Sequence, residues 1–151
     1  MKDITERRAA VLDRILLLTT VLDDDMTRGL EAVGLTKSRV GVVWLIHQQG
    51  PRTQRELAEA LGVSARNVTG LVDALVETGF VTRGAHPTDR RATLVALTAH
   101  GRQVAEGLAE GRMTLASDLF GELSDRRLAA LASALDALLE RLMALLAQQP
   151  R

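Results

Sequence analysis

The sequence predicts a mainly α-helical fold with one small β-hairpin, and three observations predict it. Apolar residues recur every three or four positions over most of the chain. Two short runs, Phe80–Arg83 and Thr93–Leu97, alternate like strands. Glycines at 34, 50, 62 and 79 punctuate the segments between. With 151 residues the chain can bury a core unaided. It has no cysteine, which excludes disulfides, thiolate metal sites and thiol redox sensing.

The first helix is expected over residues 4–30, where Val11, Ile15, Leu18, Leu22 and Met26 form a stripe. Leu12, Leu16 and Leu17 widen it, so this helix needs more than one apolar partner. Thr36-Lys37-Ser38 offers an N-cap to a second helix, Arg39–Gln49, which ends at Gly50-Pro51. Thr53-x-x-Glu56 has capping-box spacing and opens a third, Gln54–Leu61. Ser64 caps a fourth that runs to about Thr78. After the hairpin, Thr98 caps a long helix to about Leu119, and Ser124 starts the last one. In that last helix Leu128, Leu135 and Leu142, with Leu131, Leu138 and Leu145, fill both seam positions of three heptads. The expected organisation is residues 1–35 and 99–151 as a helical dimerisation region around a central segment, 36–98. The candidate dimer residues are Val11, Ile15, Leu18, Leu128, Leu135, Leu138, Leu142 and Leu145; an intramolecular bundle is the other reading of the same leucines.

The net charge is zero, but it is unevenly placed. Residues 36–102 carry 9 basic and 5 acidic side chains, while each flank carries 5 basic and 7 acidic. A basic middle suits a polyanion. Within it, Ala58, Gly62 and Val68 have the spacing of a helix-turn-helix: a small residue at the crossing, a glycine for the turn and an apolar anchor on the second helix. A basic hairpin follows directly, and the two together make a winged helix. Val68, Leu71 and Val72 face inward, so Ser64, Ala65, Arg66, Asn67, Thr69 and Gly70 are left to face a major groove. There Arg66 suits guanine, Asn67 suits adenine, and Ala65 and the Thr69 methyl suit thymine methyls. Thr53, Gln54 and Arg55 begin a helix whose positive end suits a phosphate. Lys37, Ser38 and Arg83 complete the candidate DNA surface.

These residues resemble the MarR family of winged-helix transcriptional regulators. The resemblance rests on Thr53-Gln54-x-x-Leu57-Ala58, Ser64-x-x-x-Val68-Thr69 and Leu71-Val72-Asp73-x-Leu75-Val76-x-x-Gly79-Phe80-Val81-x-Arg83. It continues in Asp89-Arg90-Arg91 and Leu94-Val95-x-Leu97-Thr98. It implies a homodimer on a pseudo-palindromic site in double-stranded DNA. It further implies that Arg90 enters the minor groove, Arg91 bonds back to Asp73 to support the wing, and Asp89 orders the turn. Many members carry arginine directly after the threonine, where this chain has Gly70. The resemblance also implies a small-molecule effector cleft, for which Trp44, His47, Arg14 and Arg112 are the candidates; core packing is the alternative for Trp44.

No cofactor, metal or enzymatic role is expected. The histidines have no metal-ligand spacing, and no phosphate-binding loop or nucleophile motif occurs. No transmembrane segment or signal peptide is read, so the expected location is cytoplasmic. The expected function is a ligand-responsive repressor. A helical protein-interaction adaptor, whose winged helix does not read DNA, is the alternative.

Overall fold

The computed structural model describes residues 3–148. The outer ends of the expected regions 1–35 and 99–151 therefore lie outside the described residues. In chain order the elements are α1 (Ile4–Ala32), α2 (Lys37–Gln49), β1 (Arg52–Thr53), α3 (Gln54–Leu61), α4 (Ala65–Glu77), β2 (Val81–Ala85), β3 (Thr93–Leu97), α5 (Ala99–Phe120) and α6 (Asp125–Ala147). The backbone divides after Gly107, within α5, into two compact units.

The sequence-level hairpin is in fact part of a three-stranded antiparallel sheet in the order β1-β3-β2. Arg52 pairs with Val95 and Thr53 with Leu94 on one side of β3, while Val81–Ala85 pairs with Leu97–Thr93 on the other. Two residues are too few to show strand alternation, so β1 exists through its partner alone. The second strand starts one residue later than expected, because Phe80 belongs to the end of α4. Gly79 takes φ +81°. The Phe80 amide then reaches Leu75 O at 2.8 Å and the Gly79 amide reaches Val76 O at 3.1 Å. This closes the helix by the Schellman pattern and drops Phe80 and Leu75 into the core together.

In the first unit the core gathers around α2, where Val42, Val43 and Ile46 are buried. Leu57 and Ala58 of α3 and Val68, Val72 and Leu75 of α4 close on it. Val81, Val95 and Leu97 seal it from the sheet side. Gly62, at φ +64°, turns α3 into α4, and Ser64 then caps α4 by accepting from the Asn67 amide at 3.1 Å. The start of α5 presses on the α4–β2 junction. A Cβ at Gly101 would stand 2.0 Å from Phe80 O.

Leu30, near the end of α1, is buried, but the other leucines of α1 and those of α6 are uncovered. On α1, Val11 and Leu18 are exposed and Ile15 half-buried; on α6, Leu128, Leu135, Leu138, Leu142 and Leu145 are all exposed. Among the described residues, no helix is long and apolar enough to cross a membrane.

Candidate nucleic-acid interface

The second helix of the turn, α4, separates its residues cleanly. Val68, Val72 and Leu75 are buried, and Leu71 is half-buried. Ala65, Arg66, Asn67, Thr69, Gly70 and Asp73 are exposed on the other side. Ser64 is committed to the cap. Among the described residues the side chains of Arg66 and Asn67 make no hydrogen bond or ion pair, so both are open to a ligand. Gly70 has nothing within 4 Å of where a Cβ would stand.

The first turn of α3 carries the capping box that the Thr53-x-x-Glu56 spacing predicts, with the Glu56 carboxylate at the N-terminal end of the helix. Thr53 N donates to Glu56 Oε2 at 2.7 Å, and the Glu56 amide returns a bond to Thr53 Oγ1 at 3.2 Å. The backbone bond from Thr53, then its hydroxyl, hold the Glu56 carboxyl below its ordinary value; slight burial works the other way, and Arg52 and His86 add weak attraction. A phosphate arriving here meets a carboxylate already in place. Arg55 is on the surface and pairs with Glu59 at 3.0 Å.

Gln54 and Thr69 turn toward each other. Gln54 Nε2 donates to Thr69 Oγ1 at 3.0 Å, and Thr69 Oγ1 donates in turn to Ala65 O at 2.8 Å. Arg83 of β2 donates from Nε to Gln54 Oε1 at 3.1 Å and from Nη2 to Asp73 Oδ1. This corrects the sequence reading: the arginine on Asp73 is Arg83 and not Arg91. Strand β2 packs against α4, and its register brings Arg83 level with Val95 in the middle of the sheet. Arg91 lies beyond that, lining a cleft of about 510 Å³ with Thr53, Arg55, Asp89 and Thr93.

The wing tip is organised by short-range bonds. Asp89 Oδ1 accepts from the Arg91 amide at 2.9 Å. His86, assigned no role from the sequence, presents Nδ1 to the amides of Thr88 at 3.3 Å and Asp89 at 3.1 Å. The signal for this was available: an acceptor side chain two residues before a turn amide is the pattern of a side-chain-closed turn. Arg90 is exposed and, among the described residues, without an ion pair.

Lys37 is bonded to Asp23 of α1, and Ser38 is exposed one residue further along α2. Trp44 and His47 are half-buried neighbours with ring centroids 5.7 Å apart. Arg14 donates to Ala10 O of its own helix at 2.7 Å. Arg112 lies on α5 in the second unit. Among the described residues, no cluster of three metal-ligating side chains occurs.

A helix-turn-helix joined to a three-stranded sheet whose longer hairpin ends in Asp89-Arg90-Arg91 defines the winged helix-turn-helix class. The MarR family model matches residues 35–93, the whole of this segment but its last few residues. The chain is 35% identical over 114 residues to YcgE of Bacillus subtilis, an HTH-type transcriptional regulator, covering 73% of each protein. It is 34% identical over 76 residues to YfiV of the same organism, also an HTH-type transcriptional regulator; that match spans half of this chain and 48% of YfiV. Among solved structures, FabT of Streptococcus pneumoniae, determined in complex with DNA, matches with a TM-score of 0.75 at 20% identity, over 93% of this chain and 99% of that one. The chain belongs to the MarR family.

Proposed function

We propose that this protein binds double-stranded DNA sequence-specifically as a homodimer and represses transcription from the site it occupies. One observation carries the reading: the N-terminal half of α4 buries its apolar side and leaves Arg66 and Asn67 unengaged and exposed, next to a wing whose tip carries Arg90. Arginine and asparagine are the side chains that grip guanine and adenine in two-point fashion from the major groove. A cation on a projecting tip suits the narrow minor groove beside it. Arg55 and Arg91 supply charge toward the phosphates, a role for which their exposure suits them.

The uncovered leucines of α1 and α6 support self-association, since faces of this size on a water-soluble chain call for a partner. Twofold pairing presents two copies of α4 to successive turns of a duplex, roughly 34 Å apart. Occupying such a site excludes other proteins from it, which is repression in its simplest form. The half-buried Trp44–His47 pair is the proposed contact for a small-molecule effector, acting on that spacing through its unequal affinity for two arrangements. The place of action is the cytoplasm.

Selection of bound duplexes from a random pool tests the reading. The expected result is a motif with twofold symmetry whose binding weakens steeply with salt. Arg66→Glu with Arg90→Glu should abolish that binding; unchanged binding by the double variant would show that the wrong surface has been assigned.

A further inference from the structure

We infer that Gln54 is a positioning residue for DNA sequence recognition: it sets the Thr69 side chain on the reading face and couples it to the wing through Arg83. The inference rests on the DNA-reading function proposed above and reassigns Gln54 and Arg83 within it, from contacting DNA to holding the groups that do.

The directions of the bonds carry the argument. A guanidinium can only donate, so the Gln54 atom that faces Arg83 Nε at 3.1 Å is the carbonyl oxygen, and the amide nitrogen is aimed the other way. That nitrogen meets Thr69 Oγ1 at 3.0 Å. Oγ1 can accept there because its own hydrogen goes to Ala65 O at 2.8 Å. A one-way chain of donors therefore runs from strand β2, through the first residue of α3, to the first turn of α4. Each link fixes the orientation of the next. Asp73 takes the other arm of Arg83 and ties the same strand to the middle of α4.

Two consequences follow for recognition. The Thr69 hydroxyl gives its only proton to Ala65 O, so it has no donor left for a base, and its methyl remains for apolar contact. The rotamer is held by two bonds rather than by packing, since Thr69 is exposed. Gln54 likewise has each end of its amide oriented by a bond inside the protein. A residue that acts this way changes which sequences bind well. A residue that touches a phosphate changes affinity for all sequences alike.

The test uses the full chain, the duplex it selects from a random pool, and an unrelated duplex of equal length. Gln54→Ala and Thr69→Val each remove one end of the link; Thr69→Val keeps the methyl and the branched shape. Each should cut the ratio of selected to unrelated affinity by about 3- to 10-fold, the worth of one hydrogen bond, with affinity for the unrelated duplex unchanged. The double variant should lose no more than either single one. Gln54→Glu keeps the acceptor toward Arg83 and loses the donor toward Thr69; it should lower the ratio as Thr69→Val does, while its added negative charge weakens both duplexes. Equal weakening on both duplexes by the neutral Gln54→Ala makes Gln54 a phosphate contact and overturns the inference, as do additive effects of Gln54→Ala and Thr69→Val. Failure of the unaltered chain to select any duplex overturns the DNA-reading function itself, and the inference with it.

Discussion

Arg83 and Asp73 join the wing to the recognition helix: Nη2 of the one, on β2, donates to Oδ1 of the other, on α4, across ten residues of chain. The pair is partly in water, with side chains 31% and 58% exposed. Its worth is therefore that of a surface ion pair, up to about 1 kcal/mol. Asp73→Ala frees the strand and also removes a negative charge from the face proposed to meet DNA. These two effects pull apart on two duplexes. Binding to the selected site should fall about 2- to 5-fold, while binding to an unrelated duplex stays level or tightens. Titrations at one salt concentration measure both, and a parallel gain on the two duplexes would mean that the bond does not position the wing.

Gly101 and Gly70 are both helical glycines with opposite surroundings. A Cβ at Gly101 runs into Phe80 O, which already accepts from the Thr98 amide at 3.0 Å, so it has no room to retreat. A Cβ at Gly70 meets nothing within 4 Å. Gly101→Ala should destabilise by about 1–3 kcal/mol, as overpacking does. Gly70→Ala should stabilise by up to about 1 kcal/mol through helix propensity. Thermal unfolding of the two variants should shift the midpoint down and up respectively, by roughly 2–4 °C per kcal/mol.

How far this molecule could be read from its sequence depended on how local each cause was. Helix α3 was legible to the residue, because Thr53, Glu56 and Gly62 act within one or two turns of themselves. Strand β1 was not, because Arg52 and Thr53 become a strand only by meeting Val95 and Leu94, some forty residues on. The partner of Asp73 failed for a related reason. Three arginines follow it within twenty residues, and the register of β2 on β3, invisible as a spacing, selects Arg83. The exposed face of α4 was legible because burial of Val68 and Val72 dictates what is left outside. The bonds that hold the amide of Gln54 were not legible, since nothing in one dimension reveals that Thr69 and Arg83 meet it.

Gly70→Arg tests how α4 lies on the duplex. The position is exposed, follows Thr69 directly, and has open space around it. An arginine here should reach a phosphate and release one more counterion. The slope of log affinity against log salt should steepen by about 0.9, with tighter binding at low salt. An unchanged slope would place this part of the helix away from the backbone of the DNA.

The leucines of α6 give a prediction about mass. Leu135 and Leu142 are one heptad repeat apart and both exposed on the single chain. Glutamates at the two positions add charge to a face proposed to be covered in the dimer, where it would be unpaired. Leu135→Glu with Leu142→Glu should halve the mass found by sedimentation at micromolar concentration. The unfolding midpoint of the unaltered chain should rise with protein concentration, and that of the variant should not. Equal masses for the two would move the interface elsewhere.

The capping box of α3 makes stability depend on pH in one direction. The Glu56 carboxyl is held below its ordinary 4.5, mainly by the Thr53 backbone bond and then by the Thr53 hydroxyl. A carboxyl with a lowered folded value binds protons more readily in the unfolded chain, so its contribution is complete above 4.5 and drains away as the pH falls through the lower folded value. Glu56→Gln keeps an oxygen to accept from Thr53 N but cannot titrate. The unaltered chain should therefore unfold at a higher temperature than the variant at pH 7 and pH 5, by the same margin at both. The margin should shrink as the pH drops below 4.5. A margin that stays constant down to pH 2.5 would mean that the bond from Thr53 does not distinguish the charged carboxylate from the neutral acid.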